Sequence, residues 1–180
     1  LSKRRRTHQN FSFVMSTPYL KTDPWKIIEE GFDRNRVKSS ESIFSLGNGA
    51  MGQRANFEEH YSGETFQGSY IGGVYYPDKT RVGWWKNGYP EYFAKVLNAP
   101  NWIGIDVHVN GIRLDLNNCL EIQNFRRELD MKNGVYHRSF TVQLEKNCAI
   151  EVHSTRFLSM VTGALGVIQY SIKALQDRSE

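Results

Sequence analysis

The carboxylates are the first residues that could do chemistry. Glu58-Glu59, Asp115, Glu128 and Asp130 are acids of the kind that cleave a glycosidic bond when two of them face each other across it. Position along the chain does not pair them, and Arg126 and Arg127 beside Glu128 favour local ion pairs. A second candidate is Gly47-Asn48-Gly49-Ala50-Met51-Gly52, which fits G-x-G-x-x-G. That pattern cradles a dinucleotide when a strand precedes it and a helix follows. A strand from Glu41 to Leu46 is expected, but Gln53 to Tyr61 has no apolar stripe and Gly63 and Gly68 follow. A glycine-dependent turn between two strands is therefore the expected structure. The histidines, His8, His60, His108, His137 and His153, show no metal-ligand spacing with each other or with cysteine. On strands, His108, His137 and His153 fall at outward positions. No serine sits in a G-x-S-x-G elbow.

The pair Trp84-Trp85 is the remaining candidate. An indole face offers an apolar platform on which a sugar ring stacks, so the pair could shape a sugar entrance. It could equally anchor a long loop to the core or to a neighbouring domain. From Gly47 to Gly88 lie nine of the fifteen glycines, and from Phe66 to Trp102 ten of the 23 aromatics. Irregular, aromatic-bearing loops on a β scaffold are where binding residues concentrate.

Strands must position these residues. Asn-Gly, the dipeptide of type I′ turns, occurs at Asn48-Gly49, Asn87-Gly88, Asn110-Gly111 and Asn133-Gly134. Around Asn110-Gly111, Ile103, Ile105, Val107 and Val109 alternate with polar or small residues, and Ile112, Leu114 and Leu116 do so afterwards. This predicts a β-hairpin. Phe140, Val142 and Leu144, then Ile150 and Val152 after a Lys146-Asn147 turn, and finally Ile168, Tyr170, Ile172 and Ala174 continue the period of two. No sustained helical stripe appears. The expected class is all-β, a sandwich or barrel.

Charge narrows the partners. Lys and Arg total 23 against 19 Asp and Glu, net +4. Lys3, Arg4, Arg5 and Arg6 are the only charged residues before Lys21; without residues 1–15 the count is 19 against 19. The basic tail, 1–15, is read as a disordered segment upstream of a start at Met15, and a nucleic-acid signal there is disfavoured. The neutral body predicts no nucleic-acid and no membrane partner. No run is long enough to cross a bilayer and no secretory signal is visible. Cys119 and Cys148 make no disulfide framework, which fits a reducing cytoplasm.

Several longer strings then converge. ESIFSLGNGAMGQRANFEE (41–59), NAPNW (98–102), GIRLDL (111–116), FRRELDM (125–131) and RFLS (156–159) stand in the order in which they occur in glycoside hydrolase family 65. The resemblance covers about 24–175. YYPDKTRVGWWKNG (75–88) looks most like the members that act on maltose. Ala50 and Ala55 depart from the residues many members carry, which leaves the disaccharide open.

The resemblance implies a β-supersandwich related to galactose mutarotases over 16–180, cut before its end and followed in the family by an (α/α)6 catalytic barrel. It implies a disaccharide phosphorylase that uses inorganic phosphate as co-substrate, inverts the anomeric centre and needs no cofactor. The expected partners are a disaccharide, the chain's own barrel and a second copy in a homodimer. No catalytic or metal-binding residue is carried onto this chain. Trehalose or kojibiose phosphorolysis, hydrolysis, and a free-standing carbohydrate-binding module are the alternatives.

Overall fold

The computed structural model describes residues 19–81, 88 and 90–175. Its largest element is a six-stranded antiparallel sheet, built from β1 (Leu20–Thr22), β2 (Lys26–Glu30), β9 (Glu121–Asp130), β10 (Val135–Glu145), β11 (Cys148–Leu158) and β12 (Gly166–Ala174), in the order β1-β2-β9-β10-β11-β12. The last four strands form a meander. Lys146-Asn147 makes the turn from β10 to β11, and Asn133-Gly134 helps reverse the chain from β9 to β10, with Gly134 at φ 66°. The β1–β2 hairpin then lies along β9, pairing Lys26 with Asp130 and Glu30 with Arg126.

Alternation decides which face is covered. Tyr136, Arg138, Phe140, Val142 and Leu144 of β10 point inward, with Cys148, Ile150, Val152, Ser154, Arg156 and Leu158 of β11; all are buried. His137 and His153 face outward and are exposed, as their positions predict. On β9 the period slips: Ile122 and Phe125 both pack on the core, three residues apart. Asn124, at φ 53°, absorbs the extra residue, and the register to β10 shifts there. Such a bulge lets both side chains reach one face.

Two smaller sheets complete the β structure. β3 (Leu46–Gly47), β4 (Met51–Gln53), β5 (Ser69–Lys79) and β6 (Tyr92–Asn98) pair in chain order. β7 (His108–Val109) and β8 (Ile112–Arg113) form the hairpin predicted at Asn110-Gly111, with φ of 54° and 81° at the two turn residues. Its ladder is shorter than the alternation suggested. The Ile105 amide donates to the Glu58 carbonyl (2.7 Å) instead of extending the hairpin, while Ile103, Leu114 and Leu116 sink fully into the core.

Two expectations change. Glu41–Leu46 is not a strand. A 3₁₀ turn at Arg34–Arg36, capped by the Asp33 side chain, leads into α1 (Val37–Ile43), and the Phe44 amide closes it on the Ser40 carbonyl (3.0 Å). The helix buries Ser40 and Glu41; Ser40 Oγ donates to Glu29 and Glu41 Oε1 accepts from Thr65. Second, much of the aromatic-rich stretch is not an irregular loop but the long β5–β6 pair. The fold class is all-β, as the turn spacing and alternation predict.

Two apolar clusters lie under the inner face of the large sheet. One holds Val37, Phe57, Val107, Leu114, Leu116, Phe125, Phe140, Val142 and Val152 among others. The second holds Phe44, Leu46, Ala55, Leu129, Tyr136 and Leu158. The segment 54–61 crosses this face, contributing Ala55 to one cluster and Phe57 to the other.

Candidate functional site

What pins that crossing segment is a row of buried arginines. Arg127 on β9 stands opposite Arg138 on β10, and Ser154 on β11 stands opposite Arg138 in turn. Arg156 lies one inward position further along β11. All three guanidiniums are 1–2% exposed. Like charges so close in a low dielectric would repel strongly, so each needs an anion or a carbonyl. The crossing segment supplies them for Arg138 and Arg156, and β2 supplies Glu29 beside Arg127. Arg138 Nη2 donates to Glu58 Oε2 (2.5 Å) and to both oxygens of Glu59 (2.6 and 2.7 Å). Arg156 Nη1 donates to Glu58 Oε1 (3.0 Å) and to the Asn56 carbonyl, and its Nη2 to the Arg54 carbonyl. The Ser154 and Tyr170 hydroxyls donate to Glu58 and Glu59 (2.8 and 2.5 Å). Arg127 lies 3.6 Å from Glu29, which also accepts from Ser40. Phe57 lies under the guanidiniums of Arg127 and Arg138 at 4.8 and 5.0 Å. Cation–π contact of this kind gains strength when desolvated.

The electrostatics are those of a clamp. Burial pushes the Glu58 carboxyl up, but Arg138, Arg156 and the Ser154 hydroxyl overcome it and hold the carboxyl below its ordinary range. Burial lowers and the two carboxylates raise the Arg138 guanidinium, and the carboxylates prevail. Burial and Glu59 push the Tyr170 phenol up. A general acid for glycoside cleavage must carry its proton near neutral pH, and Glu58 is held in the opposite state.

The other sequence candidates fare likewise. For Asp115, hydrogen bonds from Ser62, Asn117 and Asn118 outweigh burial, so it sits low. Lys26 and Arg126 hold Glu128 low, which bears out local ion pairing. The Asn133 side chain and backbone do the same for Asp130. The arrangement braces the crossing segment against the sheet.

The glycine pattern at 47–52 is the tight turn expected. Asn48 Oδ1 accepts from the amides of Ala50 and Met51 (3.1 and 2.7 Å), and Gly49 sits at φ 87° between β3 and β4. Trp84 and Trp85 lie outside the described residues, as does His8. No group of His, Cys, Asp and Glu able to hold a metal ion occurs among the described residues.

Beside the clamp lies a cleft of about 300 Å³ lined by Asn56, Glu59, His60, Tyr61, Phe66, Gln67 and Asn101 among others. A second depression of about 230 Å³ adjoins it and shares Glu59, His60 and Asn101. Residue-type reasoning passed over both the cleft and the arginine row. The signal for the row is present in Tyr136-x-Arg138-x-Phe140 and Val152-x-Ser154-x-Arg156, where polar residues occupy the apolar phase of a strand.

Comparison with known proteins gives the same picture from another side. The model of "Glycosyl hydrolase family 65, N-terminal domain" matches residues 27–180. A maltose phosphorylase from Bacillus subtilis (strain 168) is 49% identical over 154 residues, 85% of this chain and 20% of that protein. A kojibiose phosphorylase from Thermoanaerobacter brockii is 31% identical over 140 residues, 78% of this chain and 16% of that protein. Among solved structures, a chain assigned as a kojibiose phosphorylase from human microbiome superposes with a TM-score of 0.77 at 33% identity, covering 87% of this chain and 20% of that one. The chain thus spans about one fifth of the length of the relatives it matches. With its motifs in order, its all-β fold and a family match over most of its length, the chain belongs to glycosyl hydrolase family 65, as an N-terminal domain.

Proposed function

We propose that this domain serves a disaccharide phosphorylase whose substrate is maltose. The observation that carries the substrate is the 49% identity to a maltose phosphorylase, against 31% to a kojibiose and 31% to a trehalose phosphorylase. In that reaction a phosphate oxygen forms a bond to the anomeric carbon from the face opposite the glucosidic oxygen. The carbon–oxygen bond breaks, and an acid gives its proton to the departing oxygen of the second glucose. The products are β-glucose 1-phosphate and glucose. The acid is not among the clamped carboxylates described above and would come from a catalytic barrel packed on this domain. The role of the domain is then to brace and shape, and Trp84-Trp85, in the connection between β5 and β6, would border the sugar entrance.

Both cysteines are free, Cys148 buried and Cys119 partly so, which supports a cytoplasmic setting. No described helix is long and apolar enough to cross a membrane. Assembly as a homodimer belongs to the same reading.

The test uses protein expressed from the complete coding sequence, with maltose, kojibiose, trehalose and nigerose, each with and without phosphate. Phosphate-dependent release of β-glucose 1-phosphate, fastest from maltose, is expected. Glucose release without phosphate would make the protein a hydrolase. Binding without turnover would favour a carbohydrate-binding module. Replacing Trp84 and Trp85 by Ala is expected to raise the KM for maltose or lower kcat; loss of thermal stability with unchanged kinetics would assign the pair to packing.

A further inference from the structure

The cleft beside the clamp has a built interior. Phe66 is 57% exposed, and its backbone is held by hydrogen bonds. Asn56 Nδ2 donates to its carbonyl (2.7 Å) and to the Thr65 hydroxyl (3.0 Å), and Thr65 donates to the buried Glu41 (2.5 Å). The Lys38 ammonium and the Arg54 guanidinium lie 5.4 and 5.5 Å from its ring centroid. Gly68 lets the Asn56 side chain approach: a Cβ there would fall 1.7 Å from Asn56 Oδ1. Glu59 also lines the cleft, and the buried Arg138 behind it neutralises its charge.

Polar side chains that no other described side chain engages stand around the cleft. The half-buried His60 ring, the exposed Gln67 side-chain amide and the exposed Asn101 Nδ2 line the cleft without a side-chain partner among the described residues, while Asn56 Oδ1 is turned onto Gly68. Neutral donors and acceptors around an aromatic face, with local charges already paired, match a neutral polyol better than an anion.

We propose that this cleft binds one glucosyl ring of a neutral α-glucoside against Phe66, with His60, Gln67 and Asn101 reading its hydroxyls. The adjoining depression, which shares Glu59, His60 and Asn101, gives room for a second ring. The choice of sugar rests on the phosphorylase reading above.

The test is hydrogen exchange on protein from the complete coding sequence, titrated with maltose. Exchange should slow in the peptides spanning 56–69 and 99–106. Phe66→Ala should weaken the maltose dependence of that slowing about tenfold, the worth of one aromatic contact, and Gln67→Ala and Asn101→Ala should each weaken it less. Glucose 1-phosphate should bind there no more tightly than glucose. No slowing at saturating maltose, or slowing unchanged in all three variants, overturns the proposal, as does preferential binding of glucose 1-phosphate. Phosphorolysis assayed on the same samples separates the readings. Turnover without slowing removes the cleft alone; slowing without turnover removes the phosphorylase reading alone.

Discussion

On the inner face of the six-stranded sheet, Arg127, Arg138 and Arg156 are almost wholly buried, while on the β5–β6 pair Tyr75, Tyr76, Tyr92 and Phe93 are each about half exposed. The two regions invert the usual placement of charge and aromatic surface. In the sheet, every guanidinium is matched by a group from the crossing segment or a neighbouring strand. The charges thus tie the segment 54–61 to one place on the sheet through Glu58 and Glu59. In the β5–β6 pair, Tyr75, Val96, Pro77, Ala94 and Tyr92 share one face by register, and Tyr76, Phe93 and Leu97 share the other. Neither face is polar throughout, and only Asp78–Lys95 pairs charges there. The first region pairs its charges within the described residues; the second presents apolar surface of the kind that marks an interaction site.

Removing one partner of the clamp should have the largest effect. Arg138→Ala leaves Glu58 and Glu59 buried with much of their positive partner gone. A loss of about 3–5 kcal/mol in unfolding free energy is expected, measured by urea denaturation followed by tryptophan fluorescence. A loss below about 1 kcal/mol would mean that water reaches the carboxylates, and the contrast between the regions would collapse.

Acid gives a finer test of the same clamp. Glu58 stays ionised in the fold at pH values where the unfolded chain takes up a proton. Its stabilisation is thus full above its ordinary value of 4.5 and is lost as pH falls further. Glu29 runs the other way: burial, which outweighs Arg127 and Ser40, raises its carboxyl, so its contribution is full below 4.5 and declines as pH rises. Glu58→Gln should cost about 1–3 kcal/mol at neutral pH and flatten the decline in stability below pH 4.5. Glu29→Gln should cost less at neutral pH and leave the acid decline in place. An equal response in both variants would deny that the two ends of the row differ.

The sequence shows one of these regions more readily than the other. The meander is legible because Phe140, Val142 and Leu144 and Ile150 and Val152 keep the period of two and Lys146-Asn147 marks the turn. The row is hidden because Arg138 and Arg156 take inward positions, where a charged residue reads as the end of an apolar phase. On β9 the bulge at Asn124 also breaks the period. Glu41–Leu46 reads as a strand because what makes Glu41 helical is tertiary: its side chain meets Thr65 and its carbonyl accepts from Ala55. Glu58-Glu59 were visible as an acidic pair, but their role depends on guanidiniums some 80 and 98 residues away.

The smallest expected effect lies in the β5–β6 pair. Tyr76→Ser and Phe93→Ser remove apolar surface from one face without opening a cavity, because both side chains already meet solvent there. Surface changes of this sort shift stability by about 0.5 kcal/mol or less. What should change is association: sedimentation of this chain at rising concentration should show less self-association in the double variant than in the parent. Lys95→Ala, which removes a half-exposed charge pair at 3.5 Å, should leave stability nearly unaltered and increase association, since it uncovers more of the same face. A loss above about 2 kcal/mol in the double variant would instead show that Tyr76 and Phe93 are buried in solution. The β5–β6 pair would then be a second core, and the inversion that separates it from the arginine row would hold for the row alone.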